Sequence, residues 1–259
     1  MKVKIRKEGK VKEFKLISKW EDVTVEKWMK LLEFHMDSKS FEAIETISEM
    51  SDIPKDLIKQ LELSDVAIIM SKLGKLQTKD DTQLKRLLTI DGKEYGFHPD
   101  LDSITLGEYA DLEQFIKLGI NKHLPEVMAI LYRPIVEKQG EVYSIEAYDG
   151  EIKIRAEQMK KMSAIQVQSA LVFFLSFREG ICRDFAIIFD NSAEGNDDAI
   201  ATESFADKWS WFGVMYRLTN ADISKLETIT KLGLLECLTW LSYETDLESQ
   251  NRVKHGSKQ

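Results

Sequence analysis

Read for the spacing of hydrophobic and polar positions, the chain alternates strand-like runs with helical stripes, and its clearest stretch is Leu101 to Pro134. Thr105 and Glu108 have capping-box spacing: the hydroxyl accepts from the amide three residues on, and the carboxylate reaches back to the cap's own amide. The pattern therefore predicts a helix from Leu106, with Tyr109, Ala110, Leu112 and Ile116 on its apolar side. Gly119 and Asn121 interrupt it, and Leu124 to Tyr132 forms a second apolar run that ends before Pro134. Two short packed helices joined by a tight link are expected.

Met1 to Leu16 alternates instead. Val3 and Ile5 fall between Lys2, Lys4 and Arg6, Glu8-Gly9-Lys10 marks a turn, and Val11 to Leu16 returns, which predicts a β-hairpin. Trp20 to Phe34 repeats the logic of the Leu101 stretch at a constant offset of 81, with Thr24, Leu31 and Phe34 matching Thr105, Leu112 and Phe115. Ahead of the second copy, Leu87 to Ile90 and Glu94 to Phe97 flank Asp91-Gly92, a two-residue hairpin signal. A third, fainter copy begins at Glu141: Val142 to Tyr148, Asp149-Gly150, Ile152 to Arg155, then Ser163 and Gln166 in capping-box spacing before Val167 to Phe177. Internal repetition is the expectation for the first two copies, with chance similarity the alternative; for the third copy chance similarity comes first and repetition second.

Phe41 to Leu76 carries Ile44, Ile47, Ile53, Leu57, Ile58 and Leu61 at helical intervals, with Pro54 and Ser64-Asp65 at helix starts, so two or three short helices are expected. Polar Gln77 to Thr82 reads as a link. Ala170 to Leu175 is apolar on every side and is expected in mid-core, while Ile181 to Phe189 fits strand or helix. Asp190 to Asp198 reads as an acidic loop, since Ala201 stands where a calcium loop needs a bidentate carboxylate. Trp209, Trp211, Phe212 and Tyr216 cluster, read first as core anchors and second as a partner surface. Ile223 to Leu241 reads as one long closing helix, and the periodicity is lost beyond it. The expected class is α+β and predominantly helical, with short hairpins each followed by capped helices. The expected units are 1–84, 85–140 and 141–246, packed as one or two domains, with a flexible tail over 247–259.

Composition narrows the classes of function. The 259 residues can bury a core without crosslinks, and Cys182 and Cys237 both lie in apolar surroundings, which suits free thiols. No apolar run approaches the roughly 20 residues that span a bilayer, so no membrane association is expected. The net charge of −8 argues against a general nucleic-acid binder. That charge is segregated, however: Met1 to Leu16 carries seven cations against two glutamates, and Lys2, Lys4, Arg6 and Lys7 form a candidate partner-binding arm. Trp209, Trp211 and Phe212 are the second candidate set. Head-to-tail contact between copies, through the arm and the loop at Glu194 to Asp198, is a further expectation.

The motifs of chemistry are missing. His35, His98, His123 and His255 have no metal-ligand spacing, and no phosphate loop, dinucleotide fingerprint or nucleophile elbow occurs. Glu108 and Asp111 share a turn and read as a cap and a solvated carboxylate; His123 and Arg133 can bracket an anion, with an interhelical polar contact the plainer reading. No catalytic, cofactor or metal residue is assigned, and no cofactor is expected.

Trp20-Glu21-Asp22-Val23-Thr24-Val25, Ile104 to Glu113 and Ala129-Ile130-Leu131-Tyr132-Arg133-Pro134 resemble tail-region proteins of tailed phages of Bacteroides-type hosts, including crAss-like phages, often described as tail assembly chaperones. The likeness covers roughly residues 15 to 180 and leaves out the aromatic C-terminal third. It implies a non-enzymatic protein of virion morphogenesis, a tail assembly chaperone or a tail or virion component. Such a protein would bind other tail or virion proteins in the host cytoplasm and either leave or stay in the particle. The alternative is a virion-packaged or nucleic-acid-associated accessory protein that uses the basic hairpin.

Overall fold

The computed structural model describes residues 1–7, 10–34, 39–74, 83–189 and 205–256. The Glu8-Gly9 turn, His35, the link at Gln77 to Thr82 and the acidic loop at Asp190 to Asp198 lie outside them. Strands β1 (Lys2–Lys7) and β2 (Lys10–Lys15) form the N-terminal hairpin. Helices α1 (Val25–Phe34), α2 (Lys39–Glu49), α3 (Lys55–Ile58) and α4 (Leu63–Leu73) follow, and then strands β3 (Leu87–Ile90) and β4 (Lys93–Phe97). Next come α5 (Leu106–Lys117), α6 (Leu124–Leu131), β5 (Tyr132–Gln139) and β6 (Val142–Ile145). The chain continues with α7 (Lys153–Met159), α8 (Ala164–Asp184), α9 (Ala186–Phe189), α10 (Phe205–Leu218), α11 (Leu226–Thr230) and α12 (Leu234–Gly256). The class is predominantly helical α+β, with one two-stranded and one four-stranded antiparallel sheet among the described residues.

The four-stranded sheet has the order β3-β4-β5-β6. Asp91 and Gly92, at φ of 50° and 78°, make the tight turn that joins β3 to β4, as the Asp-Gly pair predicts. The third hairpin differs from its expected register. Its first strand is β5, entered directly from α6 at Tyr132, and Val142 to Ile145 is its second; Ile152 to Arg155 leads into α7 instead of forming a strand. Pro134 is therefore a strand residue paired with Tyr95, and the sheet carries the chain across the expected boundary between residues 140 and 141.

Two buried clusters hold the elements together. The larger gathers Tyr95, Phe97, Leu106, Tyr109, Val127, Leu131, Tyr132, Phe174 and Leu238, drawn from the sheet, α5, α6, α8 and α12. The smaller sets Ile5 and Leu16 against Ile47, Ile53, Ile58 and Ile69, and Trp28 packs against both clusters. The run on α8 is amphipathic and not wholly buried: Val167, Ala170 and Phe174 face the core, while Val172, Phe173 and Leu175 are exposed. Ile181 to Phe189 is helical, and the expected closing helix is broken at Lys231 to Gly233. Where a loose tail was expected from residue 247, α12 runs on to Gly256.

The repeated segments occupy equivalent places. Val25 N donates to Met162 O at 2.8 Å and Ala164 N to Val23 O at 2.7 Å; in the second copy, Leu106 N donates to Leu232 O and Leu234 N to Ile104 O, both at 2.9 Å. The entrance of α1 thus pairs with that of α8, and the entrance of α5 with that of α12, each through a short antiparallel bridge, Thr24 with Ser163 and Thr105 with Gly233. The amides freed at each helix start find carbonyls at the partner start.

Candidate functional site

A groove with several polar and charged side chains in its lining forms where β4, β5 and the entrance of α5 converge. The capping box at Thr105 is complete: Glu108 N donates to Thr105 Oγ1 at 3.2 Å and Thr105 N to Glu108 Oε2 at 2.7 Å. Its other carboxylate oxygen turns inward, where Arg133 Nη1 of β5 lies 2.5 Å from Glu108 Oε1. His98, just past β4, brings Nε2 within 3.8 Å of the same oxygen. All three side chains are buried, so Glu108 keeps the expected cap and is at the same time a core carboxylate. Asp111, one turn on, accepts a hydrogen bond from the Tyr148 hydroxyl, and the Arg133 guanidinium stands 5.8 Å from the centre of the Tyr148 ring.

Burial sets the electrostatics. It pushes the His98 imidazole below its ordinary value of 6.5; Glu108 opposes the shift and Arg133 adds to it. Burial also lowers the Arg133 guanidinium against the opposing pull of Glu108, and raises the Tyr148 phenol, with Asp111 adding to the rise. The groove is about 1130 Å³, and Glu227, Thr230 and Lys231 of α11 and its end form part of its rim. Among the described residues, no group of three or more His, Cys, Asp and Glu side chains is placed to hold a metal ion. No described helix is long and apolar enough to cross a membrane.

The structure separates the residues singled out from sequence. Lys2, Lys4 and Arg6 are exposed on one face of the N-terminal hairpin, and the Lys7 side chain lies outside the described residues. On α10, Trp209 and Phe212 are exposed with ring centres 5.6 Å apart, whereas Trp211 is a core residue, edge-on to Tyr109 at 5.1 Å. The partner role expected of Trp211 is thereby corrected, and core anchoring holds for it but not for Trp209, Phe212 or Tyr216. His123 and Arg133 have different neighbours: His123 lies 5.3 Å from Phe115 and 3.9 Å from Glu126, and Arg133 pairs with Glu108. Both cysteines are free thiols, Cys237 buried and pushed up to about 11 by that burial.

Two features escaped the sequence reading. One is the joining of His98, Glu108 and Arg133, whose sole trace was a lone arginine between the apolar runs Ala129 to Tyr132 and Pro134 to Val136. The other is a second aromatic stripe, Trp240, Tyr243 and Leu247 on α12, all exposed. Its spacing of three and then four residues equals that of Trp209, Phe212 and Tyr216 on α10, and Arg217 joins the two helices through Glu244 at 3.5 Å and Thr245 Oγ1 at 3.2 Å. Compared with known proteins, the chain matches no family model, no curated sequence and no solved structure.

Proposed function

We propose that this chain is a non-enzymatic protein of bacteriophage morphogenesis, a tail assembly chaperone or a tail or virion component, acting by contact with other phage proteins in the host cytoplasm. The observation that carries the reading is the set of large apolar side chains left exposed in two stripes, Trp209, Phe212 and Tyr216 on α10 and Trp240, Tyr243 and Leu247 on α12, beside the exposed Val172, Phe173 and Leu175 of α8. Single exposed apolar residues are ordinary on a protein surface, but aromatic residues grouped at helical spacing are a common way for a helix to meet a partner. The resemblance of residues 20–25, 104–113 and 129–134 to phage tail-region proteins supplies the kind of partner.

The buried Glu108–Arg133 pair fits this role as a device that fixes how β5 meets α5, and it leaves the protein's surfaces free for contacts. Co-purification of the tagged chain with identified tail or portal-region proteins from infected cells tests the reading. Proteomics of purified particles then separates a retained component from a chaperone that leaves. A chain that instead recovers phage DNA, and loses it when Lys2, Lys4 and Arg6 are replaced, would favour the accessory-protein alternative.

A further inference from the structure

We infer that one copy of this chain docks on a second copy by laying the exposed face of α12 across the outer face of the β1–β2 hairpin. The hairpin register sets Lys2 opposite Lys15, Lys4 opposite Glu13 and Arg6 opposite Val11, and directly paired residues share a face. The outer face therefore presents four cations, one carboxylate and one valine, all exposed. The inner face carries Val3, Ile5 and Phe14 into the smaller core, which holds the sheet in place behind them.

The exposed face of α12, as far as Asn251, is complementary in charge. From Leu234 to Asn251 the helix has Glu236, Glu244, Asp246 and Glu248 and no lysine or arginine. Glu236, Trp240, Glu244 and Glu248 recur at four-residue spacing, and Tyr243 and Leu247 fall beside them, so carboxylates and aromatic rings share one stripe. Leu234, Cys237 and Leu238 turn the opposite way, into the larger core, and Leu241 is buried as well. Arg217 of α10 reaches Glu244 at 3.5 Å, at one edge of the stripe.

The dimensions agree. Glu236 to Glu248 rises about 18 Å along the helix, and a six-residue strand extends about 20 Å. Lysine and arginine side chains on the sheet can then meet both carboxylates and the faces of Trp240 and Tyr243. The hairpin and α12 bury their inner faces in different cores, so each copy offers one surface of each kind. Such an interface is heterologous, and successive copies form a ring or an open chain. It shares the α12 stripe with the tail reading and is told apart from it by readout: loss of self-association leaves the exposed aromatic residues of α10, and co-purification with tail proteins, as a separate result.

Sedimentation velocity of the full chain at about 50 mM and about 500 mM salt tests the inference, because exposed charge pairs weaken as screening grows. The expected result is association at low salt that weakens roughly tenfold or more at high salt. The variants Lys2→Glu/Lys4→Glu/Arg6→Glu and Glu236→Lys/Glu248→Lys are each expected to be monomeric at low salt, and an equal mixture of the two to associate again. Circular dichroism checks their folding, and Lys2→Gln/Lys4→Gln/Arg6→Gln replaces the reversed hairpin if that variant does not fold. A wild-type monomer at low salt overturns the inference, as does association that persists in both charge-reversed variants.

Discussion

Arg133 and Glu108 form an ion pair whose side chains are 4% and 2% exposed, between the second residue of β5 and the first turn of α5. Glu108 also closes the capping box on Thr105, so one carboxylate ties a helix start to a strand. Taking one partner away leaves the other charge buried and unpaired, which is far costlier than losing a surface pair. Arg133→Met is expected to destabilise the fold by about 3–5 kcal/mol. Adding Glu108→Gln to it is expected to recover part of that loss, since no unpaired charge remains. Urea unfolding followed by tryptophan fluorescence measures both.

The burial of His98 predicts a pH dependence of stability with a definite sign. The folded-state value of His98 lies below 6.5 because burial disfavours the imidazolium, so as pH falls through 6.5 the unfolded chain binds a proton that the folded chain does not. This contribution to stability is fully present above 6.5, declines as pH falls from there toward the lower folded value, and then levels off. His98→Gln is expected to flatten that part of the curve. Thermal unfolding midpoints between about pH 7.5 and about pH 5 show whether the slope differs between the two proteins.

Gly96 is a packing position. A Cβ there would press on the Tyr143 ring, 2.7 Å from Cδ2, and on Ile145 Cγ2 at 3.0 Å. The ring cannot swing aside freely, because Tyr143 Oη donates to Phe97 O at 2.7 Å. Gly96→Ala is expected to cost about 1–3 kcal/mol, the range of overpacking in a filled interior. Combining it with Tyr143→Ser is expected to cost less than the two separate losses together, and denaturant unfolding of the three variants decides it.

The paired helix entrances predict opposite responses at two bridged positions. Thr105→Ala removes the hydroxyl that accepts from Glu108 N and is expected to cost about 1 kcal/mol. Gly233, across the bridge from Thr105, has open space where a Cβ would stand. Gly233→Ala is expected to stabilise by about 0.4–1 kcal/mol by restricting the unfolded chain. Calorimetry on the two variants gives the signs.

What could be read from the sequence follows the range of each interaction. The Thr105 cap, the Asp91-Gly92 turn and the β1–β2 alternation are local patterns, and the structure realises all three. Thr24 keeps a weaker version of the cap, with Lys27 N at 3.4 Å from Oγ1, because lysine stands where the second copy has Glu108. Ser163 and Gln166 form the expected capping box at the start of α8, with Gln166 Oε1 accepting from Ser163 N at 3.4 Å. The β5 strand was missed because α6 passes into it without a turn residue, leaving one apolar run from Leu124 to Tyr132. Local spacing likewise gave no means of joining Glu108 to Arg133, which lie 25 positions apart, or of seeing that Phe173 would face outward while Phe174 faced the core.

The account rests on contact surfaces, and one comparison tests that most directly. Cross-linking mass spectrometry in infected cells would compare the wild-type chain with a Phe212→Ser/Tyr216→Ser/Trp240→Ser/Tyr243→Ser variant, after calorimetry has shown that the exposed substitutions leave its unfolding midpoint close to wild type. The predicted result is a set of cross-links from wild-type α10 and α12 to identified tail or portal-region proteins, strongly reduced in the variant. Equal cross-linking by both proteins, or wild-type protein recovered without any tail or virion protein, would contradict it.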